Sequence, residues 1–203
     1  MKIICVGRNY ADHAKELKNE VPKQPVIFLK PDTALLRNNA PFYHPDFSND
    51  IHYECEVLVR INRVGKRISE EFAHKYYQEI GLGIDFTARD IQQQQKEKGL
   101  PWEIAKGFDG SAVVGEFMDK TDVQDINALN FSLHLNGQEV QAGNTSDMLF
   151  SIDKIISYVS LFYTLKVGDI IFTGTPAGVS KVNVGDELIG YINEKEIFTC
   201  DVR

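Results

Sequence analysis

Asn136-Gly137 lies between Phe131-Ser-Leu-His-Leu135 and Gln138-Glu-Val-Gln141, and this arrangement commits that part of the chain to a β-hairpin. Both turn residues tolerate the positive φ that a two-residue hairpin loop requires, and strand-forming residues flank them. Segments rich in β-branched and aromatic residues recur at 2–6, 26–29, 53–61, 169–173, 187–192 and 197–202. Helical patterning is scarcer. Ile152, Ile155, Ile156, Val159, Phe162 and Tyr163 recur at helical spacing, so a helix over 151–165 is expected to bury that stripe. Two more helices are expected at 70–78 and 88–98, the second ending at Gly99-Leu100-Pro101. Residues 10–18 suit a short helix or loop, and Pro22 and Pro25 bound it. The pattern is α+β and mainly β, and a chain of 203 residues without repeats or long linkers reads as one catalytic domain.

Composition excludes several classes. A hydrophobic fraction of 43% and a charged fraction of 25% are ordinary for a globular protein. A net charge of −7 disfavours a polyanion as partner, so no nucleic acid is expected. The apolar run that begins the chain stops at Gly7-Arg8-Asn9, too short to span a bilayer or to serve as a signal segment, which makes a cytoplasmic protein without a membrane partner the expectation. Cys5, Cys55 and Cys200 are odd in number and widely spaced, so reduced, mostly buried thiols are expected.

Three acidic residues interrupt otherwise apolar strand patterns. Glu54 and Glu56, within His52-Tyr-Glu-Cys-Glu-Val-Leu-Val59, are two residues apart on a strand and share a face. Neighbouring carboxylates repel unless a cation lies between them. The same spacing occurs on solvated strand edges, but here the downstream residues are apolar on both faces. His52 shares that face and reads as a hydrogen-bonding neighbour. Asp85 ends the apolar run Gly81-Leu-Gly-Ile-Asp85, and Thr87 is better placed than Asp85 to cap the following helix. Glu54, Glu56 and Asp85 together suit a hard divalent cation such as Mg²⁺ or Mn²⁺, with positions left for the carboxylate and oxo oxygens of a 2-oxo acid. Lys106, in a glycine-containing loop beside the single tryptophan, Trp102, is a candidate to stabilise developing negative charge. The small-residue stretch Thr173-Gly-Thr-Pro-Ala-Gly-Val179 could bring backbone N–H groups to a carboxylate.

These stretches occur in the order found in the fumarylacetoacetate hydrolase family. Gly7 to His13, His52-x-Glu-x-Glu56, Gly83 to Gln92, Lys98-Gly-x-Pro-Trp102 with Ala105-Lys106, Gln141 to Phe150, and Gly168 to Val179 span nearly the whole chain. They resemble the short, single-domain acylpyruvase and oxaloacetate decarboxylase branch most closely. The resemblance implies a mixed β-roll with flanking helices, a homodimer, and Glu54, Glu56 and Asp85 as Mg²⁺ ligands. It places Lys106 against the enolate, puts Lys30, Arg89, Gln92 and Thr175 around the substrate, and makes His13 and Glu16 a catalytic pair on a lid within about residues 1–25. The activity implied is Mg²⁺-dependent hydrolysis of a C–C bond in an acylpyruvate through an enolate. Oxaloacetate decarboxylation or tautomerisation, and isomerisation or hydration of an unsaturated 2-oxo dioic acid, are alternatives. A non-catalytic carboxylate-binding protein retaining the fold is the reading from another class.

Overall fold

Apolar alternation and the turn residues between strands organise the chain into three sheets. The computed structural model describes residues 1–16 and 20–203. The main, eight-stranded sheet runs in the order β2 (Val26–Lys30), β1 (Ile3–Gly7), β12 (Ile170–Phe172), β5 (Cys55–Ile61), β6 (Tyr77–Asp85), β8 (Ala112–Val114) and β3 (Leu35–Arg37), with β9 (Met118–Asp119) also paired to β6. It is mixed, because β1 runs parallel to β12 and β3 parallel to β8. The second sheet is antiparallel, in the order β11 (Gln138–Asn144), β10 (Asn130–Leu135), β14 (Glu187–Ile192), β15 (Lys195–Asp201). Asn136 and Gly137 close the expected hairpin at φ 51° and 81°. The small third sheet joins β13 (Ser180–Lys181), β4 (Ile51–Tyr53) and β7 (Thr87–Ala88).

The larger apolar core includes Cys55, Val57 and Val59 from one face of β5, and Leu58, from the other face, joins a smaller cluster with Ile3, Cys5 and Phe172. Phe42 and Phe86 stack at 4.0 Å within the larger core. Helix α5 (Ile152–Phe162) buries Ile152, Ile155, Ile156 and Val159, and Ser151 caps it by accepting from the Lys154 N–H. Each such side chain contributes roughly 1.5–3 kcal/mol when fully withdrawn from water. Phe162, expected within the buried stripe, is exposed at the last turn. All three cysteines are buried and free. No described helix is long and apolar enough to cross a membrane.

The local structure departs from the sequence pattern in three places. The expected helix over 70–78 is only the single turn α2 (Glu70–Ala73), because Tyr77 and Ile80 enter β6 and pair with β5. The expected strand over 53–61 breaks at Glu54, with β4 pairing in the third sheet and β5 in the main one. Helix α3 (Arg89–Lys98) has Ala88 at its N-cap, so Thr87 does not cap it. Of the 10–18 segment, Ala11–Glu16 forms helix α1 and its end lies outside the described residues.

The β5–β6 register sets the site. Glu56 lies opposite Gly83, and the Asp85 N–H donates to the Glu54 carbonyl at 2.8 Å, so the acidic side chains gather where the two strands meet. A Cβ on Gly83 would press into the Val113 carbonyl oxygen of β8 and lie 2.9 Å from Leu58 Cδ1. Gly83→Ala should therefore lower stability by about 3 kcal/mol, an overpacking cost, read as a reduced denaturant midpoint. An unchanged midpoint would show that the β6–β8 spacing has slack.

Candidate active site

Asp85 ends β6 and Glu56 lies one residue into β5, while Glu54 occupies the break between β4 and β5. Ligand oxygens of Glu54, Glu56 and Asp85 lie within 4.8 Å of one another and all three residues are buried. Burial, reinforced by the charges of Asp85 and Glu54, pushes the Glu56 carboxyl well above the usual range, although the Gly174 N–H donates to its Oε2 at 2.6 Å. Burial also acts to raise Glu54, but Lys106, Arg89 and His13 outweigh it and hold that carboxyl far below its ordinary value. Asp85 Oδ1 lies 2.7 Å from the Lys30 ammonium but, among the described residues, accepts no hydrogen bond of good geometry. A buried donor set made only of carboxylate oxygens fits a divalent cation that prefers hard ligands. A thiolate contribution is disfavoured, since burial raises the Cys5 and Cys55 thiols well above their ordinary value.

Lys106 is delivered by the short helix α4 (Glu103–Lys106) and is buried rather than lying on an exposed loop. Its Nζ donates to Glu54 Oε2 at 2.7 Å, Asp85 Oδ2 at 2.8 Å and Thr87 Oγ1 at 2.6 Å. The hydroxyl expected to cap α3 therefore serves this lysine. Burial would lower the Lys106 pKa, but Asp85 and Glu54 reverse that and raise it, so the ammonium stays charged. Arg89 donates to Glu54 Oε1 at 2.5 Å and to Gln92 Oε1 at 2.8 Å. Thr175 is buried in the cleft wall, and its hydroxyl oxygen accepts from Gln141 Nε2 at 2.9 Å.

Lys30 is placed differently from the expectation that it lines the substrate pocket. Its side chain is fully buried and its Nζ lies 2.7 Å from Asp85 Oδ1. Its Nζ donates to the Phe86 carbonyl at 3.2 Å, the Ser111 carbonyl at 2.8 Å and Ser111 Oγ at 3.0 Å. Its side chain is not among those that line the cleft, so Lys30 supports Asp85 from behind rather than facing a ligand.

His13 Nδ1 lies 3.3 Å from Glu16 Oε2, and Glu16 accepts from the Gly178 N–H at 3.1 Å, which ties α1 to the small-residue loop after β12. His52, by contrast, contacts Asp50 at 2.9 Å and is not among the residues that gather with Glu54, Glu56 and Asp85. Two tethers were not visible from residue type. Asn9, wholly buried, donates to the Phe150 and Thr173 carbonyls and accepts from the Phe150 N–H. Gln141 accepts from the Cys55 N–H and donates to Thr175 and Pro176, joining the strand break to the same loop. The cleft also contains Arg8, Phe28, Lys96 and Trp102. Of these, Lys96 was accessible to a helical-spacing argument, being four residues beyond Gln92 and seven beyond Arg89.

The mixed β-fold thus gathers three buried carboxylates against a charged lysine, and Glu54, Glu56 and Lys106 face one cleft. The sequence model of the fumarylacetoacetate (FAA) hydrolase C-terminal family matches residues 2–201, and the chain belongs to the fumarylacetoacetate hydrolase family. It is 46% identical over 186 residues to the mitochondrial oxaloacetate tautomerase FAHD1 of Rattus norvegicus, covering 92% of this chain and 84% of that protein. It is 41% identical over 188 residues to the oxaloacetate tautomerase YcgM of Escherichia coli K12, covering 92% and 86%. Among solved structures, the fumarylpyruvate hydrolase of Pseudomonas aeruginosa in complex with Mn²⁺ and pyruvate superposes with a TM-score of 0.93 at 33% identity, covering 100% of this chain and 89% of that one.

His13 provides a direct check of the site's electrostatics. Burial lowers its pKa below the ordinary value of 6.5, against the opposing pull of Glu54 and Glu16. The unfolded chain therefore takes up this proton first as pH falls, so His13 costs stability progressively below 6.5 and not above it. NMR titration of the metal-free protein should find the imidazole titrating below 6.5, and lower still in Glu16→Gln, which removes both the hydrogen bond and the charge that raise it. Titration above 6.5 would contradict this arrangement.

Proposed function

We propose that this chain is a divalent-cation-dependent enzyme that carries a 2-oxo acid through its enol form, with keto–enol interconversion of oxaloacetate as its reaction. The observation that carries the reading is Lys106, a buried ammonium fixed between two carboxylates of the acidic triad. A positive charge already oriented in a site of low water content stabilises an enolate oxygen without reorganising as the charge develops. Glu54, Glu56 and Asp85 would hold Mg²⁺ or Mn²⁺, which as a Lewis acid polarises the 2-oxo group. Arg89 and Gln92 would orient the substrate carboxylate. Thr175 accepts from Gln141, which leaves its own O–H free to donate to the substrate. His13, kept neutral by burial and oriented by Glu16, would take the C3 proton on enolisation and deliver a proton to C3 on ketonisation, the enol oxygen exchanging its proton with water.

The choice of oxaloacetate is supported by the identity to proteins named oxaloacetate tautomerase. A second reading, hydrolysis of an acylpyruvate, draws on the same His13–Glu16 pair, which could take a proton from an attacking water, and on the likeness to fumarylpyruvate hydrolase. The deciding experiment follows ketonisation of enol-oxaloacetate and cleavage of acetylpyruvate by the purified protein with Mg²⁺, with Mn²⁺ and after EDTA. Metal-dependent ketonisation should dominate, be lost after EDTA, and fall at least about 100-fold in Glu56→Gln, which removes a metal ligand. Cleavage of acetylpyruvate that outpaces ketonisation, and that drops about 10²–10⁴-fold in His13→Ala, would move the assignment to the hydrolase. Rates indifferent to EDTA would sink both.

A further inference from the structure

The cleft carries more positive charge than its carboxylates use. Helix α3 presents Arg89, Gln92 and Lys96 at spacings of three and four residues, which places them on one face, and all three line the cleft. Arg8 lines it too, just beyond β1, with a left-handed backbone at φ 62°. Arg89 is committed to Glu54, and Lys106 to Glu54 and Asp85. Among the described residues Arg8 and Lys96 make no ion pair. Lys96 Nζ instead lies 5.6 Å from the ring centroid of Trp102, whose edge-to-face contact with Phe28 builds the apolar side of the same cleft.

We infer that Arg8 and Lys96 form an anion subsite for the second carboxylate of a dicarboxylic 2-oxo acid, so that the cleft selects diacids over acylpyruvates with an uncharged end. The inference rests on the 2-oxo acid reading above and narrows its substrate class. Two cations partly withdrawn from water and lacking a counter-charge are an unrelieved electrostatic cost, which an arriving carboxylate removes. Consistent with that cost, burial together with repulsion from Arg8 and Arg89 brings the Lys96 pKa down to about 8. The Phe28 and Trp102 rings exclude water beside these cations, which strengthens their attraction for an anion.

The test compares kcat/KM for oxaloacetate with that for acetylpyruvate in the wild type and in Arg8→Gln, Lys96→Gln, the double variant and Lys96→Arg. Each glutamine substitution should lower the oxaloacetate-to-acetylpyruvate ratio about 10–100-fold, the value of one charge-assisted hydrogen bond, chiefly through KM. Lys96→Arg should retain the ratio. A ratio unchanged in the double variant would overturn the subsite. A second arm needs no turnover: Trp102 is the only tryptophan, so its fluorescence reports ligands in the cleft. Succinate should perturb the Mg²⁺-loaded wild type at lower concentration than propionate, and the double variant should lose that preference. If the wild type turned over neither substrate, the proposed reaction would fail while a succinate preference abolished in the double variant upheld the subsite. Equal responses to succinate and propionate would refute it.

Discussion

Three carboxylates buried within a few ångströms of one another cannot all remain anionic in a protein interior unless positive charge is supplied, and much of the surrounding chain supplies it. Lys106 pairs with Glu54 and Asp85, Arg89 pairs with Glu54, and Lys30 sits against Asp85 from within the core. Glu56 receives only a backbone N–H, and its carboxyl is correspondingly pushed upward by burial and its anionic neighbours. The imbalance falls where a divalent cation would be most effective. The triad is therefore costly to the fold when empty and well suited to a metal when filled.

The scaffold holds this cluster through connections between segments far apart in sequence. Asn9 ties the end of β1 to Phe150 and to Thr173 beyond β12. Gln141 reaches from β11 to Cys55 and to Thr175. Gly174 takes φ 105°, and a Cβ there would lie 2.6 Å from the Asn9 Cβ. With that Cβ absent, the backbone approaches closely enough for its N–H to reach Glu56. Arg8, next to Asn9, is carried into the cleft by the same packing.

Much of the site was legible because its chemistry is local. The E-x-E spacing marked Glu54 and Glu56 as a pair, although Glu54 falls in the break before β5 and not on one strand with Glu56, and Asp85 stood out as an acid closing an apolar run. Arg89, Gln92, Lys106 and Thr175 all reach the cleft from positions that the family resemblance marked. The apolar stripe of α5 and the Asn136-Gly137 hairpin were equally plain, since periodicity and positive-φ residues act over a few positions. The helix expected over 70–78 was misjudged because cross-strand pairing of Tyr77 and Ile80 with β5 outweighed local propensity. Lys30 was misplaced because nothing in the sequence says that its side chain is drawn behind Asp85, out of the cleft.

The sequence by itself determined the mainly-β character, the hairpin, the long amphipathic helix and an acidic donor set suited to a hard cation. These depend on residue type, spacing and short-range sterics. Tertiary structure alone decided the break between strands at Glu54, the burial that raises Glu56 and lowers His13, the withdrawal of Lys30 behind Asp85, and the pairing state of every cation in the cleft. Those outcomes depend on desolvation and on distances between residues up to 164 positions apart, as with the Asn9 side chain and the Thr173 carbonyl. Such quantities arise only when the sheets close around the site, so no local pattern can encode them.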